Sequence, residues 1–126
     1  MREWRWVRED IVLSLHDEQL AEHGGAAGIR DLGLLESALG RPLNLSAYGE
    51  PDAAALAASY AFGFARNHPF VDGNTRTAAT VALGFLDITR VAFTIGEAEL
   101  VVMILALAAG ELAEDEVAVW FRERLA

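Results

Sequence analysis

Residues 68–76 read His-Pro-Phe-Val-Asp-Gly-Asn-Thr-Arg. Groups able to move a proton, hold a metal and bind phosphate fall within these nine positions. An imidazole titrates close to neutrality, so His68 is a candidate general base. Asp72-Gly73-Asn74 is a turn signal. Gly73 can take a positive φ and let backbone N–H groups face a ligand. A helix opening at Asn74 or Thr75 adds further N–H groups and the positive end of a helix dipole, a combination suited to phosphate. Asp72 at the lip of such a site is placed to hold Mg²⁺, a hard cation that favours oxygen ligands. A cation in a first helical turn opposes the dipole. Arg76 therefore makes more sense as a fork onto phosphate oxygens. Arg66 adds charge from the other side of His68, and Phe70 reads as a plug that anchors the loop in the core.

Each of these residues alone has a plain structural reading. A histidine after a helix caps it or stays solvated, Asp-Gly-Asn makes a turn, and a single arginine belongs to the surface. The functional reading rests on their ordered coincidence in one loop between two helices.

The elements that must position this loop are helical. A first helix is expected over about 8–23, with Ile11, Val12 and Leu15 on one face and Gly24-Gly25 as its stop. Asp31 is a good N-cap for a short second helix carrying Leu34, Leu35, Ala38 and Leu39, ending near Gly40 before Pro42. Residues 42–51 read as a polar loop. A third helix, rich in alanine and open to close approach, is expected from Pro51-Asp52 to about Asn67. The fourth runs from Asn74 or Thr75 to about Arg90, followed by an extended connection over 91–95. Two more helices are expected, from about Glu97 to Ala109 and from about Glu114 to Leu125. The fold class is all-α, a single-domain bundle of about six helices over residues 1–126.

Composition narrows the function classes. The chain has 126 residues, just over half of them apolar, and a formal charge of −9. That charge argues against direct nucleic-acid binding, which rests on basic groups neutralising phosphates, and disfavours an anionic membrane surface. There is no cysteine, hence no disulfide and no thiolate metal site. The N-terminal Met-Arg-Glu-Trp-Arg-Trp has no apolar leader core. The most apolar run, Leu100 to Ala109, is shorter than the roughly 20 residues a bilayer span needs. A cytoplasmic protein is the expectation. All ten basic residues are arginine. His16-Asp17-Glu18 and His23 fall on the amphipathic first helix and read as surface rather than a metal cluster. Trp4, Trp6 and Trp120 read as core or edge packing.

The string His68-Pro-Phe-Val-Asp72-Gly73-Asn74-x-Arg76-Thr77-Ala78 resembles the signature of the Fic/Doc superfamily, closest to the Doc (death-on-curing) branch of toxin–antitoxin toxins. The likeness extends through Leu15-His16-Asp17, Gly24-Gly25, Gly28-Ile29-Arg30-Asp31, Leu34 to Leu39 and Arg41-Pro42. It implies a kinase that uses ATP and Mg²⁺ to phosphorylate a hydroxyl of elongation factor Tu. It also implies inhibition by a Phd-like antitoxin whose C-terminal segment docks as a helix. On this resemblance His68 is the base, Asp72 holds Mg²⁺, Gly73 and Asn74 cradle phosphates with Thr75 beside them, and Arg76 neutralises developing charge. Fic proteins that transfer AMP usually carry a second arginine three residues after the first; Ala79 stands there, against that reaction.

Doc-like sequences usually have lysine where this chain has Thr75. A hydroxyl replaces a mobile cation. Three accounts follow: a weakened toxin, a detoxified variant, or a site in which Arg66 or Arg76 takes over the role. An AMP-transferase and a catalytically silent antitoxin-binding protein remain the alternative functions.

Overall fold

A computed structural model describes residues 4–126; Met1 to Glu3, the start of the N-terminal run without an apolar leader core, lie outside the described residues. Six helices follow one another: α1 Glu9–His23, α2 Leu32–Tyr48, α3 Ala53–Asn67, α4 Asn74–Ile88, α5 Glu97–Ala108 and α6 Glu114–Arg122. No strand forms among the described residues, only two isolated bridges, Ile29 with Phe70 and Phe93 with Leu125. Among the described residues no helix is long and apolar enough to cross a membrane.

α3 is the axis of the bundle and touches α2, α4, α5 and α6, while α1 packs on α4. Its alanines explain this. Ala54, Ala57, Ala58, Ala61 and Ala65 are buried, so neighbouring backbones approach closely. At Gly63 the approach is limiting: a Cβ there would stand 3.2 Å from the Ala38 Cα. Asp52 caps α3 by accepting the Ala55 N–H at 2.9 Å, and Arg122 of α6 forks onto the same carboxylate at 2.7 and 2.9 Å. That fork holds the Asp52 carboxyl below the usual range, the Arg122 hydrogen bond being the main cause. Tyr60 is fully buried in mid-helix, and its hydroxyl accepts the Val7 N–H at 3.0 Å.

Two boundaries and one helix face differ from expectation. α2 does not stop near Gly40; it runs through Pro42 to Tyr48, so most of the expected polar loop is helical. Proline in a helix interior forfeits one backbone bond and costs about 3 kcal/mol. Tertiary contacts outweigh it: Pro42 is buried, the Arg41 guanidinium lies 4.4 Å from the Phe62 ring centre, and Arg41 pairs with Glu114 of α6. α6 stops at Arg122 rather than near Leu125, because the segment after it pairs with the 91–95 connection through Thr94 N–H to Arg124 O and Ala126 N–H to Ala92 O, both 2.9 Å. In α1 the buried face runs through Val12 and His16, while Ile11 is 45% exposed. Trp4 and Trp6 pack on Phe85 at 6.0 and 6.2 Å, and Trp120 meets Phe121 edge-on.

Candidate phosphate-transfer site

α3 ends at His68, whose backbone takes a left-handed conformation with φ 48° and ψ 59°. A non-glycine residue there costs on the order of 1–3 kcal/mol and persists only where its surroundings hold it. Arg30, in the α1–α2 connection, does this. Its Nε donates to the His68 carbonyl at 2.7 Å and its Nη2 to the Asn67 carbonyl at 2.8 Å. The same connection pins the next turn of chain: Arg30 N–H and Asp31 N–H donate to the Pro69 carbonyl, and Val71 N–H donates to the Gly28 carbonyl. The loop after α3 is therefore fastened on both sides of Phe70.

Phe70 is buried, with 1% exposure, and stacks face to face on the imidazole of His16, 3.8 Å between centres and 10° between planes. Asn74 closes the loop from the other end. Its Oδ1 accepts the Phe70 N–H and its Nδ2 donates to the Phe70 carbonyl, both at 3.0 Å. The Asn74 side chain is thus spent on loop shape, and its backbone N–H is the group it offers to a ligand. Gly73 takes φ 76° at the mouth of α4, a value that suits glycine. The first intrahelical bond of α4 is Thr77 N–H to the Gly73 carbonyl at 3.0 Å. Asn74, Thr75 and Arg76 therefore open the helix with N–H groups that have no intrahelical acceptor.

A cavity of about 500 Å³ brings His68, Asp72, Gly73, Asn74, Thr75 and Arg76 together with Gln19 and His23 of α1. Asp72 Oδ2 accepts the Ala26 N–H at 3.2 Å. Arg76 Nη1 lies 3.2 Å from His23 Nε2 and 3.7 Å from Glu97 Oε1. A guanidinium only donates, so His23 Nε2 accepts in this contact. His23 lies at the surface as expected and also lines the cavity. Arg66 is not brought to the cavity; it is exposed, with its guanidinium 5.2 Å from the Phe62 ring centre. Among the described residues no group of three or more His, Asp or Glu side chains stands ready for a metal. A single carboxylate matches the way Mg²⁺ is usually held, by one or two carboxylates together with substrate phosphates.

His16 is buried, against the expectation of a surface position. It is 3% exposed, and its Nε2 lies 2.8 Å from the Asp72 backbone oxygen. A signal was present: four residues after Val12, it continues the inward stripe that Ile11 leaves.

The N–H groups that open α4 lie at a cavity lined also by His68 and Arg76, and a helix N-terminus of this kind suits an anion. The sequence profile of the Fic/DOC family matches residues 6–86, and the chain belongs to that family. It is 34% identical over 115 residues to the protein kinase Doc of Escherichia phage P1, covering 90% of each chain. It is 44% identical over 71 residues to the toxin Doc of Mycolicibacterium smegmatis (strain ATCC 700084 / mc(2)155), covering 54% of each.

Proposed function

We propose that this chain is a Doc-type protein kinase toxin that transfers the γ-phosphoryl group of ATP to a Ser or Thr hydroxyl of a translation factor, elongation factor Tu being the substrate the resemblance implies. The observation that carries this reading is the cavity that His68 lines together with the α4 N-terminus and Arg76. The target hydroxyl loses its proton to the His68 imidazole as its oxygen attacks the γ-phosphorus. The bond from that phosphorus to the β–γ bridging oxygen breaks, and ADP leaves. The N–H groups opening α4 and the Arg76 guanidinium take up the charge that spreads over the phosphoryl oxygens. Asp72 would hold Mg²⁺, which supplies charge neutralisation at the nucleotide phosphates. Positioning is the rest of the catalysis.

Ala79, only 4% exposed on α4, offers no cation for a second phosphate, which disfavours AMP transfer. Thr75 at the cavity wall favours a weakened kinase, and in the extreme a silent protein that keeps only its antitoxin contact. A Phd-like antitoxin and a cytoplasmic setting complete the proposal. Elongation factor Tu is incubated with the protein and ATP labelled at the α or the γ phosphate. γ-Label on the factor, lost in His68→Ala, is the expected result. α-Label points to AMP transfer, and no label points to the silent protein or another target.

A further inference from the structure

We infer that His16 is a positioning residue for the anion cradle: through Nε2–H it holds the Asp72 carbonyl inward, and so turns the Gly73 N–H toward the ligand side. The inference rests on the kinase reading for what the cradle binds, but not for how it is held. The backbone oxygen of Asp72 can only accept, so at 2.8 Å the His16 Nε2 must carry the hydrogen. Among the described residues no peptide bond is cis. In a trans peptide the C=O and the following N–H point in opposite directions. Anchoring the Asp72 carbonyl on α1 therefore directs the Gly73 N–H away from His16. A peptide preceding a glycine is the least restrained of the turn, since Gly73 has no side chain to fix its φ of 76°. His16 supplies that restraint from 56 residues away in sequence. The ring cannot swing off, because Phe70 lies parallel to it at 3.8 Å and the ring is buried. Phe70, held at both backbone groups by Asn74, in turn fixes the plane of the imidazole. One side chain thus links the core anchor of the loop to the orientation of a single peptide unit.

Three measurements test this. In the wild-type protein, long-range ¹H–¹⁵N correlation of the His16 ring is expected to show hydrogen on Nε2; hydrogen on Nδ1 alone overturns the inference without any variant. His16→Phe keeps the stack on Phe70 but has no donor, and His16→Gln puts an amide donor near the Nε2 position. Backbone ¹⁵N relaxation is expected to show mobile Asp72–Asn74 amides in His16→Phe and ordered ones in His16→Gln, with no ligand present. Equal order in wild type and His16→Phe, or equal disorder in both variants, overturns it. ATP binding is expected to weaken about tenfold in His16→Phe and to recover to within about threefold in His16→Gln. Unweakened ATP binding by His16→Phe also overturns it. If the wild-type protein does not bind ATP, the kinase reading fails, while the tautomer and relaxation measurements still decide the role of His16.

Discussion

Asn74 and Phe70 form a closed pair: the amide of one accepts from the N–H and donates to the carbonyl of the other, each at 3.0 Å. The pair joins the first residue of α4 to the residue that plugs the core. Asn74→Ala should leave both partly buried groups of Phe70 without their partner and cost about 2–3 kcal/mol. Asn74→Asp keeps the acceptor and should cost less. Urea denaturation orders the three proteins; equal midpoints would contradict the clamp.

Arg30 bears on His68 in a comparable way from outside the motif. Its two bonds hold the carbonyls at the end of α3 and the left-handed turn at His68. Because Arg30 is exposed, Arg30→Ala should cost only about 1 kcal/mol of stability. On the proposed kinase reading, transfer should fall by about tenfold or more, since a base out of place loses the advantage of orientation. A thermal melt and a labelled-phosphate assay on one preparation separate the two effects. Parallel loss of both, in proportion, would reduce Arg30 to a stabilising residue.

Thr75→Lys should restore a cation to the cavity wall. A charge-assisted phosphate contact contributes about 1.5–3 kcal/mol, or roughly ten- to a hundredfold in affinity or rate. Growth arrest on expression should deepen. Identical arrest by the two forms, at equal protein level, would assign the role to Arg76 instead.

Burial pushes the Tyr60 hydroxyl up to about 12, against an ordinary 10. A folded pKa above the unfolded one stabilises the protein fully below about pH 10, and that stabilisation is lost as pH rises toward 12. The loss is on the order of 2 kcal/mol. Tyr60→Phe should flatten this alkaline limb while lowering stability near neutral pH by about 1 kcal/mol, as the Val7 N–H loses its acceptor. Melting temperatures recorded from pH 8 to 12 check both halves.

The helical pattern was legible because apolar spacing, Asp31 and Asp52 as caps, and Gly24-Gly25 are local signals. The continuation of α2 past Pro42 was not. Proline marks a stop, and what overrides it is Arg41 meeting Glu114, 73 residues away, and stacking on Phe62. The nine-residue loop announced its chemistry, yet Asn74 within it and Arg66 just before it needed coordinates. Asn74 has the same formula whether it faces phosphate or Phe70, and nothing adjacent to Arg66 reveals that it leaves the cavity for Phe62. His16 was hidden for a similar reason: a histidine beside Asp17 and Glu18 looks solvated until Phe70 is laid on its ring.

The alanine-lined α3 reverses the usual mutational spectrum of a core. In most cores truncation does the harm; along Ala54, Ala57, Ala58, Ala61 and Gly63 there is little left to truncate, and any enlargement must push a neighbouring helix away. Since His68 closes α3 and α4 packs against it, such pushes reach the site as misalignment rather than as unfolding. A saturation library selected for loss of toxicity should therefore collect bulky replacements along this one helix, outside residues 68–76.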